Sequence, residues 1–265
     1  MLVLAHPTLN DLSPPDFVRV AERTGYDAIN LRIIPLEPNN AAANIFNDRA
    51  LLEATADALA SSPLTVLDIE LVRIEPDTCA SEFRSLFEVG QQLGARYCVA
   101  IAMDTDESRV SERLAELCAV AAPYGLDVVL EFMMRGGIRT LDGAHRIVKA
   151  SGAANSGVLV DALHFYRSGA TPTDLAVVDP QLLPYMQIND VRDFDRLAAI
   201  PLEENPVWKK VLPGTGDLRL RELLRALPPG IPISVEVPGT PGASLAEAER
   251  YAREAIDTTR AVLAG

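Results

Sequence analysis

Basic charge and sulfur are both scarce in this chain, and each shortage removes a class of function. The 265 residues include 24 Lys and Arg against 37 Asp and Glu, a formal net charge of −13. Phosphate backbones are bound by clusters of Lys and Arg, so this balance argues against a nucleic-acid partner. The cysteines are Cys79, Cys98 and Cys118, with no Cys-x-x-Cys pair. They read as free thiols in a reducing compartment, not as a zinc site. Aromatic residues amount to 5%, which leaves little surface for stacking on sugars beyond Phe132, Phe165, Tyr166 and Trp208. No apolar run approaches the roughly 18–20 residues that span a bilayer. The opening Met-Leu-Val-Leu-Ala-His-Pro has neither the basic region nor the apolar core of a signal peptide. The expectation is a cytoplasmic protein with no membrane partner. Gly-x-Ser-x-Gly and His-Glu-x-x-His are absent. Leu-Pro-Gly-Thr-Gly-Asp at 212–217 lacks the Lys-Ser or Lys-Thr of a Walker loop.

What is present is a regular alternation. Apolar runs predict strands at Leu2–Ala5, Ala28–Ile33, Thr65–Leu71, Tyr97–Ala102, Val128–Phe132, Val158–Val160, Tyr185–Ile188 and Ile233–Val237. Most are continuously apolar, as strands covered on both faces must be. Helical patterns lie between them near 14–24, 47–60, 80–93, 107–123, 140–150 and 172–178, with a last helix opened by a Ser244/Glu247 capping box. Gly25, Gly94, Gly125 and Gly152 punctuate the helix ends. Eight strand–helix units predict an α/β fold, a (β/α)8 TIM barrel forming a single domain over 1–265. An open doubly wound sheet would call for a glycine-rich phosphate loop after the first strand, and none is there. The stretch 191–229, with Pro201, Pro206, Pro213 and Trp208, reads as a long loop over the barrel mouth with a short helix near 218–226.

Strand C-termini in such a barrel face one way and build the active site. Glu131, Asp161, Gln187 and Glu236 close four successive runs in the second half. Three carboxylates and one neutral carbonyl converging there suit a hard divalent cation, with Mn2+ preferred and Mg2+, Co2+ or Zn2+ as alternatives. His164, three residues after Asp161, is placed to reach a substrate oxygen, and Arg167 to hold a carboxylate, phosphate or hydroxyl. His6 follows the first strand. Glu70 and Arg73 on the third read either as an ion pair or as lining of the substrate end. Asp190 is expected to orient a ligand from behind the metal donors.

Taken in order, Glu131, Val-Asp161-Ala-Leu-His164, Gln187-Ile-Asn-Asp190, Pro-Gly-Thr-Gly-Asp and Val-Glu236 resemble the xylose-isomerase-like sugar phosphate isomerase/epimerase superfamily. The resemblance covers nearly the whole chain and is strongest over 125–240. It implies that Glu131, Asp161, Gln187 and Glu236 are the metal ligands. It also implies that Glu131 and Glu236 move protons on opposite faces of the substrate and that His164 touches substrate. Many members of the superfamily carry His at the third ligand position, and Gln187 there is similar to the hydroxypyruvate isomerase branch. Phe132 stands where dehydroshikimate dehydratase relatives often carry His. The chain's three histidines are too few for the multi-zinc site of the endonuclease-IV-like branch.

The resulting expectation is a metal-dependent isomerase or epimerase of a small sugar, keto-sugar or hydroxy-carbonyl compound, acting by proton abstraction through an enediolate. A lyase or dehydratase on a keto-sugar or C-glycoside shares the first half of that mechanism. A non-enzymatic sugar-binding barrel is the third alternative. Relatives form monomers and homo-oligomers, so assembly state stays open.

Overall fold

The computed structural model describes residues 1–34, 44–201, 204 and 209–265. Pro206 and Trp208 of the long loop lie outside the described residues. Eight parallel strands close into a barrel in sequence order. They are β1 (Leu2–Leu4), β2 (Ala28–Arg32), β3 (Thr65–Ile74), β4 (Tyr97–Ala102), β5 (Asp127–Glu131), β6 (Ser156–Asp161), β7 (Met186–Ile188) and β8 (Ile233–Val235). The ring closes where Leu2, Val3 and Leu4 register with Ile233, Ser234 and Val235. β4 and β6 are buried along their whole length, because helices cover one face and the lumen the other.

The helices are α1 (Pro14–Thr24), α2 (Arg49–Ala60), α3 (Arg84–Gln92), α4 (Glu107–Ala121), α5 (Leu141–Ser151), α6 (Ala162–Arg167), α7 (Phe194–Ala198), α8 (Leu220–Ala226) and α9 (Leu245–Ala264). Local chemistry sets their ends. Ser13 caps α1 with Pro14 in its first turn, and Gly25 ends it at φ 82°, a left-handed conformation that costs a side-chain-bearing residue about 1 kcal/mol or more. The Ser244/Glu247 capping box opens α9. One face of α9, Ala248, Ala252, Ala255, Ile256, Thr259 and Val262, is buried, and α9 packs on α1 to seal the first and last units of the ring. No helix among the described residues is long and apolar enough to cross a membrane.

The lumen is filled by Val3, Ala28, Leu67, Tyr97, Val99, Val129, Leu159 and Tyr185. A larger apolar layer lies between strands and helices. β3 departs from regular pairing twice. Its register shifts against β2 between Ile29 and Asn30, and against β4 between Glu70 and Val72. Such irregularities re-aim side chains. Here Leu67 joins the luminal cluster and yet its neighbour Asp68 also faces inward, toward Tyr185.

The helical segment expected near 172–178 is a 3-10 helix over Pro172–Val177, opened by a Thr171/Asp174 capping box. The residues after Asp161 form α6 at once, because the Asp161 carboxylate accepts the His164 backbone N–H and caps it.

Candidate active site

Glu131, Asp161 and Gln187 end or lie within β5, β6 and β7, and Glu236 follows β8 directly. Asp161 pairs in register with Gln187, and Gln187 with Ser234. The parallel registers therefore place these groups around one end of the lumen, as the strand-end pattern implied. They do not form a preassembled ion cage. Among the described residues, no three His, Cys, Asp or Glu donors are grouped so as to hold a metal ion.

A lysine stands between them instead. Lys210 Nζ donates to Asp161 Oδ2 at 2.9 Å and to Glu236 Oε1 at 3.0 Å, with its side chain 11% exposed. Burial alone would lower the Lys210 pKa, but Asp161 and Glu236 raise it further, so the ammonium is fully charged. Asp161 is saturated. Its Oδ1 accepts the His164 N–H at 2.9 Å, and its Oδ2 accepts Asn189 Nδ2 at 2.6 Å as well as Lys210. Burial pushes its carboxyl up, but Lys210 and His164 outweigh that and hold it below the ordinary carboxylate range. At Glu131 the pull of Lys210 is outweighed. Burial, then the charges of Glu236 and Asp161, push its carboxyl well above the ordinary range. Glu236 is raised by burial, with Lys210 pulling it back. His164 Nε2 stands 3.7 Å from Glu131 Oε1, and burial lowers its pKa. The buried Gln187 Oε1 and His164 Nδ1 have no hydrogen-bond partner among the described residues.

On the β1–β3 side, Glu70 accepts Asn30 Nδ2 at 3.0 Å and Arg32 Nη2 at 2.8 Å. The expected Glu70–Arg73 pair is not formed. Arg73 lies where β3 runs past the barrel rim, half-exposed, with Glu75 at 3.5 Å. His6 is fully buried against Phe17, and its Nδ1 accepts the Arg32 N–H at 3.1 Å. The proton therefore sits on Nε2, which has no hydrogen-bond partner among the described residues. Burial, then the Arg32 charge, lower the His6 pKa to about 4. A cleft of about 580 Å3 opens between the loops after β1 and β8, lined among others by Thr8, Asn10, Arg32, Gly239 and Tyr251. It flanks the carboxylates without enclosing them.

Two expected substrate contacts change character. Arg167, on α6, donates through Nη2 to the carbonyls of Ile200 (2.5 Å) and Pro201 (3.0 Å). It ties down the chain after α7 and is not free at the mouth. Asp190 accepts four backbone N–H groups, from Val191 and Leu218 on Oδ1 and from Gly214 and Gly216 on Oδ2, all at 2.9–3.0 Å. Its carboxylate is the pin of the Pro-Gly-Thr-Gly-Asp loop. Gly216 lies so close that a Cβ there would collide with the Val191 carbonyl oxygen. Asp190 and Val211 also exchange both backbone hydrogen bonds, at 3.0 and 2.7 Å. That bridge sets the backbone that carries Lys210 into the lumen.

Lys210, Asn189, Asn30 and Asp68 are site residues that strand-end reading passed over. The chain has three lysines, Lys149, Lys209 and Lys210, and a lysine just ahead of the glycine loop was the available signal for the first. Asp68 sits inside an apolar run beside Glu70, and both its oxygens are buried without a well-formed hydrogen bond among the described residues. Burial, then Glu70, push its carboxyl well above the ordinary range.

The chain is 27% identical to an inosose isomerase of Bacillus velezensis over 234 residues, 83% of this chain and 80% of that protein. It is 30% identical to an inosose isomerase of Halalkalibacterium halodurans over 157 residues, 56% of this chain and 54% of that protein. Its fold matches the solved structure of the IOLI protein with a binding zinc atom at a TM-score of 0.82 and 23% identity, covering 99% of this chain and 97% of that one. It matches D-psicose 3-epimerase with D-tagatose from Clostridium cellulolyticum H10 at 0.75 and 16% identity, over 99% of each chain. The family model described as xylose isomerase-like TIM barrel matches residues 18–262, and with the closed eight-stranded barrel it places this chain in that family.

Proposed function

We propose that this protein is a divalent-metal-dependent isomerase or epimerase of a small keto-polyol or related hydroxy-carbonyl compound, working in the cytoplasm. The observation that carries the reading is the donor set at successive strand ends: the carboxylates of Glu131, Asp161 and Glu236 and the buried, unpartnered Gln187 Oε1. The chemistry of that set fits a hard dication, and an orphaned carbonyl oxygen in a buried site is a group awaiting a partner. The inosose isomerase relatives and the zinc-bound IOLI neighbour support the reading.

Glu131, Asp161, Gln187 and Glu236 would hold the ion, with Mn2+ preferred over Mg2+, Co2+ or Zn2+. When bound, a dication of this kind polarises a carbonyl and its neighbouring hydroxyl. The protein's own groups do the rest. Glu131, whose carboxyl burial pushes well above the ordinary range, accepts and returns a proton, and Glu236 faces it as the second proton-carrying group. His164, neutral at Glu131's edge, orients a substrate hydroxyl. His6 Nε2 and Arg32 offer donors on the opposite side.

The test is divalent metal content and affinity of the wild type and Asp161→Asn after chelation and reloading. About one ion per chain, strongly weakened by the substitution, is the expected result. No binding of any of the four ions by the wild type refutes the reading. Proton NMR of products then separates the reaction classes, since a moved carbonyl or inverted centre marks isomerisation and loss of water marks a dehydratase.

A further inference from the structure

Lys210 holds two of the four donors that the metal reading requires. Its Nζ lies 2.9 Å from Asp161 Oδ2 and 3.0 Å from Glu236 Oε1. A dication bound by those carboxylates at about 2.0–2.2 Å would be driven against the ammonium, because like charges at such range in a buried site repel strongly. The two cations exclude one another.

The other contacts of Asp161 are not expendable. The His164 N–H on Oδ1 caps α6, and Asn189 on Oδ2 also receives the Leu163 N–H on its own Oδ1. The lysine is the removable contact. Its backbone does not need to move, because Val211 is bridged to Asp190 and the following turn is pinned by the Asp190 carboxylate. The flexible four-carbon stem of a lysine allows its head alone to leave.

Resting on the metal reading above, we propose that Lys210 is a built-in competitor of the divalent cation: it neutralises Asp161 and Glu236 in the metal-free protein and swings out of the site when the ion is held. The ammonium keeps the clustered carboxylates from repelling one another before loading. It also lowers the apparent affinity for the ion by the fraction of molecules in which it is seated.

The experiment titrates Mn2+ calorimetrically into metal-free wild type, Lys210→Met and Lys210→Arg, with thermal unfolding of each with and without Mn2+. Lys210→Met is expected to bind Mn2+ at least about tenfold more tightly, to melt lower without metal and to gain more on adding it. Lys210→Arg keeps the competing charge and binds no better than wild type. A folded Lys210→Met that binds as wild type does, or more weakly, overturns the proposal while leaving the metal reading standing. Absence of binding in wild type and Lys210→Met alike sinks both.

A second measurement needs no variant. An amine-reactive reagent read by tandem mass spectrometry reports on Lys149, Lys209 and Lys210. Lys210 is expected to label several-fold faster with Mn2+ than without, relative to Lys149. An unchanged ratio in a sample shown to hold the ion overturns the proposal.

Discussion

Replacing Asp190 by Asn tests whether this carboxylate is a pin and not a ligand-orienting group. The carboxylate accepts from Val191, Gly214, Gly216 and Leu218. An amide of the same shape has one acceptor oxygen, and its NH2 faces two of those donors. Two charge-assisted bonds are lost at about 1.5–3 kcal/mol each, so the substitution costs about 3–6 kcal/mol. That is a large share of the roughly 5–15 kcal/mol that holds a typical protein folded. The damage begins locally, because the loop can detach before the barrel opens. Urea unfolding reads the global part. Amide hydrogen exchange over 211–218 reads the local part and is expected to speed up selectively. A loss below about 1 kcal/mol, with exchange unchanged over that segment, would refute the assignment.

His6 makes a pH prediction. Its pKa falls from the ordinary 6.5 to about 4 on folding, so between those values the unfolded chain binds more protons than the folded one. Stability is fully present above pH 6.5 and falls as pH drops toward 4, by up to about 3 kcal/mol. His6→Asn, followed by urea midpoints across that window, should flatten the slope, and an unaltered slope would exclude His6 as its source. Gly216→Ala drives a Cβ toward the Val191 carbonyl oxygen and the Asp190 carboxylate, and is expected to cost about 1–3 kcal/mol or more. Gly94→Ala, also at positive φ (73°) but with open space around it, should cost only the backbone strain of about 1 kcal/mol. Thermal melts that rank the two equally would contradict the close approach.

Much of this molecule was legible in one dimension. Strands buried on both faces are mostly continuously apolar, so β4 could be read from Tyr-Cys-Val-Ala-Ile-Ala and the centre of β6 from Val158–Val160. Caps act within a few residues, which is why Ser13, Ser244, Gly25 and Gly152 marked helix ends correctly. The same local effect operates at Asp161, whose carboxylate starts α6. The xylose isomerase-like family could be recognised because its polar residues close successive strands in order.

Pairings across the lumen were not legible. Glu70 and Arg73 are close in sequence, yet Glu70 takes Arg32 and Asn30 from β2, because β3 shifts register and Arg73 emerges past the rim. Arg167 and Asp190 carry groups suited to a ligand, but the carbonyls and N–H groups of the chain after β7 reach them first. Lys210 lies 49 residues from Asp161, and no periodicity links them. Composition, burial periodicity and caps act along the chain, so they specify a barrel and the strand ends that bear its acids. Charge pairing acts through space and depends on which atoms closure brings within about 3 Å. Barrel closure alone brings a lysine, held by a bridged turn, among those acids.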